Sequence, residues 1–163
     1  MPNIEAIRSL RISEAGNCKP DGGVPLVASV RQIMDLEVAR EYINYIDCSM
    51  IKEKLMQGKE EGGPGWDAET ANKAEVKYKM WLFLKLKYQD EILPPSREID
   101  LFWHAHILDS HSYFRDTQAL FGKYLHHYPY FGMRGKSDEA RLATAFEETK
   151  RLFHAEYGSS LTD

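Results

Sequence analysis

EIDLFWHAHILDSHSYFRDTQALFGKYLHHYPYFG, running from Glu98 to Gly132, is the stretch whose reading decides the fold. It holds five of the six histidines of the 163-residue chain and is dense in aromatics. Its opening, Asp100-Leu101-Phe102-Trp103-His104-Ala105-His106, is too apolar for a solvated loop and too polar for a plain core helix. Burying imidazoles and a carboxylate among aromatics costs several kcal/mol unless they pair with each other or hold a metal. The expectation is therefore a dry pocket in which these lone pairs are needed.

Outward from that stretch, helical periods dominate. Upstream, Pro25 suits a first helical turn, because its missing N–H has no partner there. Leu26, Val30, Ile33, Met34, Tyr42, Ile43 and Ile46 follow at helical spacing. Asp47-Cys48-Ser49 predicts a new start and a second short helix with Met50, Ile51 and Leu55. Gly58 to Gly65, with four glycines and Pro64, reads as a surface loop. Asp67 predicts an N-cap for a helix running to about Tyr88. That helix is apolar on every side at Met80-Trp81-Leu82-Phe83-Leu84, so it should cross the middle of the fold. Pro94-Pro95-Ser96 ends the connection, and the next helix should start near Arg97.

Downstream, Asp109-Ser110 breaks or re-caps the chain. The following helix should carry Tyr113, Phe114, Thr117, Leu120 and Phe121 on one face, with Gly122 at its C′ position. Ser137-Asp138-Glu139 predicts the cap of a last helix with the face Ala143, Phe146, Phe153 and Tyr157, stopped by Gly158. Nothing alternates at period two. The reading is one all-α domain of about five to seven helices over residues 25–158, preceded by a short element and loop over residues 1–24.

Bulk composition narrows the function. A length of 163 residues favours one domain with its own core. The net charge of −4 offers no basic footprint for nucleic acid. No apolar run is long enough to span a bilayer. The start, MPNIEAIRSL, lacks the apolar core of a signal peptide. Cys18 and Cys48 form no metal-type pair or disulfide framework, so a cytoplasmic location is the default expectation.

Asp100 and His104 lie one turn apart and share a helix face. Such a pair can ligate one cation, or the acid can orient the imidazole. His106 stands about 200° around the helix from His104. It joins them only if the helix distorts, and otherwise sits on a buried face with Phe102 and Trp103. His126 and His127 point to opposite sides of an extended segment. His127 is expected to face inward, because Tyr128-Pro129 fixes the backbone beside it. Asp100, His104 and His127, with His106 as fourth ligand or orienting partner, would suit Fe(II) or Zn(II). Tyr113 is the candidate catalytic residue; it and Tyr130 could donate hydrogen bonds to a bound ligand. His111 reads as solvated, His154 as a helix-end imidazole, and Cys48 as a small buried hydrophobe.

Pro95-Ser96, Ile99-Asp100, Trp103-His104-Ala105-His106, Leu108-Asp109, Tyr113, Asp116, Phe121-Gly122 and Leu125-His126-His127-Tyr128-Pro129-Tyr130 resemble the glycine-rich domain-containing protein-like family, most closely its short bacterial members. The resemblance extends over roughly residues 30–157. Asp100, Trp103, His104, His106, Tyr113, Asp116 and His127 match its pattern. His111 has no counterpart there, and Thr117 stands where a cysteine is common. The resemblance implies a helical domain but no reaction. The glycine-rich and RNA-binding-like regions of the long plant members have no counterpart here, so their roles are not carried over.

Three functions follow as expectations. The first is a small metal-binding protein acting as an iron-dependent oxidase or oxygenase on a small molecule. The second is a non-catalytic module for a protein partner, whose Asp100, His104, His106 and Tyr113 form a structural polar network. The third is a zinc-dependent hydrolase.

Overall fold

The apolar run at Met80–Leu84 belongs to the helix on which the others lean. The computed structural model describes residues 32–162, and among them it forms six α-helices and no strand. They are α1 (Leu36–Tyr45), α2 (Ser49–Met56), α3 (Ala68–Lys87), α4 (Arg97–Leu108), α5 (Ser110–Phe121) and α6 (Lys136–Tyr157). Helix α3 packs against α1, α2, α4 and α6, while α4 also meets α2 and α5. The expected central crossing is observed. Tyr78, Trp81, Leu82, Phe83, Leu84 and Leu86 are all buried, so α3 shows apolar side chains to partners on several sides.

Local chemistry sets the helix ends. Asp67 caps α3 by accepting from the Thr70 N–H at 2.7 Å. Ser96 caps α4, and Asp109 both ends α4 and caps α5. Gly122 and Gly158 close α5 and α6 with φ of +66° and +65°, a region that a Cβ disfavours. No helix among the described residues is long and apolar enough to cross a membrane.

Four expectations need correction. The helix predicted from Pro25 begins only at Leu36; its earlier start lies partly outside the described residues, and residues 32–35 are not helical. Asp35 is the cap, accepting from the Glu37 and Val38 N–H groups. The Ile33 N–H donates instead to the Ala119 carbonyl at 2.8 Å, tying the segment to the end of α5. Phe114 is exposed, so α5 buries Tyr113, Asp116, Thr117 and Leu120. Helix α6 starts after Gly135, and Asp138 reaches back to accept from the Gly132 and Arg134 N–H groups. Ala143 is exposed, and α6 packs through Phe146, Thr149, Leu152 and Phe153. The element expected over residues 1–24, and Cys18 with it, lies outside the described residues.

Candidate metal centre

Helix α4 sorts its polar side chains by angle. Ile99, Phe102, Trp103 and His106 form the buried stripe at spacings of three and four. Asp100 and His104, one turn apart, fall on the flank beside it. The chain returns after Gly122 as a non-helical segment that brings His127 over this flank. His126 is exposed, and His127 is the inward member of the pair, as expected.

Three groups converge. The Nε2 atoms of His104 and His127 stand 3.0 Å apart. His127 Nε2 lies 3.0 Å from Asp100 Oδ1, and His104 Nε2 lies 3.5 Å from Asp100 Oδ2. Among the described residues this is the one cluster of such groups whose donor atoms all lie within 4.8 Å of one another. Donors about 2.0–2.1 Å from a common ion, at tetrahedral or octahedral angles, stand roughly 3–3.4 Å apart. The two contacts of His127 Nε2 fall near that range, and His104 Nε2 stands slightly beyond it from the other Asp100 oxygen.

Two arrangements suit these atoms. Each Nε2 can carry a proton and donate towards its own Asp100 oxygen, His127 to Oδ1 at 3.0 Å and His104 towards Oδ2 at 3.5 Å. Alternatively, both nitrogens can present lone pairs, which together with the carboxylate are a donor set that a cation could use.

The expected dry pocket is not what forms. The side chains of His104, Asp100 and His127 are 45%, 35% and 17% exposed. One side is held rigidly nonetheless. The Trp103 ring lies 4.5 Å from the His127 ring, and Trp81 lies 4.8 Å from Trp103. Asp100 and His127, but not His104, line a cleft of about 590 Å³ between the Leu93–Pro95 connection, α4 and the 125–131 segment.

His106 and Tyr113 do not reach the triad. His106 lies on the buried stripe, because a helical step of two residues turns it away from His104. The Tyr78 hydroxyl meets its Nδ1 at 2.8 Å, and its Nε2 faces Asp116 at 3.4 Å without hydrogen-bond alignment. Asp116 also accepts from the Tyr42 hydroxyl at 2.7 Å and from Arg115 Nε at 3.0 Å. Burial works against its charge, but the nearby His106 ring, the Arg115 charge and the bonds from Arg115 and Tyr42 win and hold the Asp116 carboxyl below the usual range. Burial, reinforced by the Asp116 charge, pushes the Tyr42 hydroxyl upward.

Tyr113 is fully buried. Its hydroxyl donates to the Leu125 carbonyl at 2.5 Å and accepts from Trp103 Nε1 at 2.8 Å. Burial raises its pKa despite the Trp103 bond, so it remains a neutral hydroxyl at neutral pH. Its hydroxyl thereby ties α5 to the segment that carries His127, two residues after Leu125. Tyr130 is exposed, and Cys48 is buried with its thiol pushed up to about 12 by burial.

Sequence reasoning missed Tyr42 and Tyr78 as partners of Asp116 and His106. The Tyr42–Asp116 bond spans 74 positions, and no local spacing signals it. It also missed the basic lining of the cleft, which comes from α3, α4, α6 and the 125–135 segment.

No curated protein and no solved structure shows significant similarity to this chain. The segment from Leu125 to Tyr130, with His127, lies beyond the part of the chain that finds a match. Residues 66–116, which carry α3, α4, Asp100, His104, His106 and Tyr113, match the model of the glycine-rich domain-containing protein-like family.

Proposed function

We propose that Asp100, His104 and His127 bind one divalent transition metal, and that the protein uses it to oxidise a small molecule with dioxygen. The observation that carries this reading is the convergence of two imidazole nitrogens and one carboxylate at 3.0–3.5 Å with one side open. Two histidines and one carboxylate on one face, with free positions opposite, is the ligand set of non-haem iron(II) oxygenases. When bound, iron(II) would supply the one-electron chemistry that dioxygen requires. The chain's own part is to hold the donors. Trp103 packs against the His127 ring, and Tyr113 bonds the Leu125 carbonyl in the segment that carries His127. Zinc-dependent hydrolysis uses a similar ligand set. It is less well supported, because no carboxylate besides Asp100 lines the cleft to serve as general base.

A non-catalytic module for a protein partner is the second reading. The direct His127–Asp100 contact favours it, since a protonated His127 makes an ion pair there without a metal. Elemental analysis of untagged, chelator-free protein separates the two. Iron or zinc approaching one equivalent is expected, lost in His104→Ala and in His127→Ala. Folded wild-type protein that takes up neither Fe(II) nor Zn(II) overturns the metal reading.

A further inference from the structure

The cleft beside the triad has a charge that the chain as a whole does not. The protein carries 25 acidic against 21 basic residues. The cleft is lined by Lys85, Arg97, Arg134 and Arg141 against the single carboxylate of Asp100. Two of these cations are engaged elsewhere. Arg134 binds Asp138 at 2.9 Å, and Arg141 stands 3.9 Å from the same carboxylate. Lys85 and Arg97 have no carboxylate within ion-pairing distance among the described residues. The polar contact of Lys85 is the Glu91 carbonyl at 3.4 Å. Lys85 is half-buried, and burial, together with Lys123, pushes its ammonium below the usual lysine range. A half-buried cation without a counter-ion, facing a cleft, is a site for an anion. Beside His126, His127 and Tyr128, the wall includes the apolar side chains of Leu93, Trp103, Leu125, Phe131 and Leu142.

We propose that this cleft binds a small organic acid, its carboxylate held by Lys85 and Arg97 and its apolar body laid against Trp103, Leu125 and Leu142. The inference names the substrate class of the metal centre. It rests on that reading for what the acid undergoes, but not for its binding. The closing experiment therefore uses chelator-treated protein and Zn(II)-loaded protein side by side. Phenylacetate, indole-3-acetate and hexanoate are each titrated against the corresponding neutral amide and against inorganic phosphate, by calorimetry.

At least one acid is expected to bind the chelator-treated protein tenfold or more tighter than its amide and than phosphate. Lys85→Gln and Arg97→Gln should each weaken that acid at least fivefold and leave the amide unchanged, with wild-type circular dichroism. Equal affinity for acid and amide overturns the inference, as does tighter binding of bare phosphate, indifference to both substitutions, or no binding of any acid. Acid binding with this pattern in a protein that takes up no Zn(II) sinks the metal reading alone. Zn(II) uptake with no acid bound in either form sinks the cleft inference alone.

Discussion

The fold builds two histidine–carboxylate groups from one helix, and they differ in every respect that matters. His106 and Asp116 are 1% and 2% exposed, and Tyr78, Tyr42 and Arg115 supply their partners. Asp100, His104 and His127 are partly exposed and face one another at 3.0–3.5 Å. The buried group resembles a polar weld between α1, α3, α4 and α5. The surface group gathers two imidazole nitrogens and one carboxylate within 4.8 Å of one another. A histidine near an acid is thus not by itself a metal signal. What distinguishes the two is enclosure: Tyr42, Tyr78 and Arg115 close around His106 and Asp116, whereas Asp100, His104 and His127 keep a side open to solvent.

The largest effect expected from breaking the contrast is on the buried side. Asp116→Ala leaves the buried His106 and Tyr42 without their shared carboxylate and should cost about 3 kcal/mol, read by urea unfolding. The same carboxylate gives the pH dependence its sign. Its folded pKa is depressed, so its stabilisation is complete above the unfolded value of about 3.9 and fades as pH falls through the lower folded value. Asp116→Asn should therefore lose less stability than wild type between neutral pH and pH 3. An unaltered acid limb would show that Asp116 is not the group responsible.

Tyr113→Phe tests the link between the two groups. It removes the bond to Leu125 and orphans the Trp103 N–H, at a cost of about 2 kcal/mol. If Tyr113 holds the segment that carries His127, metal affinity should also fall roughly 10–100-fold. Stability loss with unchanged metal affinity would confine Tyr113 to the core. The smallest effect belongs to the surface group. His104→Ala should change stability by no more than about 0.5 kcal/mol while abolishing metal uptake. A loss of several kcal/mol in metal-free protein would mean that the triad is a structural network after all.

Much of this was legible from residue order. The helix from Asp67 to about Tyr88 was readable because its cap, length and all-round apolar centre agree. The break at Asp109-Ser110 was readable from an acid that can cap the helix it starts. The Asp100–His104 pair follows from one helical turn. The start of α1 was not readable, because Ile33 and Met34 continue the apolar period. The bonds from Ile33 to Ala119 and from Gln32 to Leu120, across the fold, hold the segment in a non-helical course. Phe114 and Ala143 were misplaced because the apolar stripe of a helix depends on where its neighbours lie.

By itself, the order of residues determined an all-α chain, a central apolar helix, and an acid and imidazole sharing one flank of α4. Those are local properties, set by a 3.6-residue turn and by side chains that cap or break it. Only the tertiary structure decided that His127 arrives beside that pair, that His106 turns inward to Tyr78 and Asp116, and that Lys85 and Arg97 face the same cleft. Each of these depends on how separate segments pack, and packing is decided by the burial of the whole core rather than by any spacing within one helix.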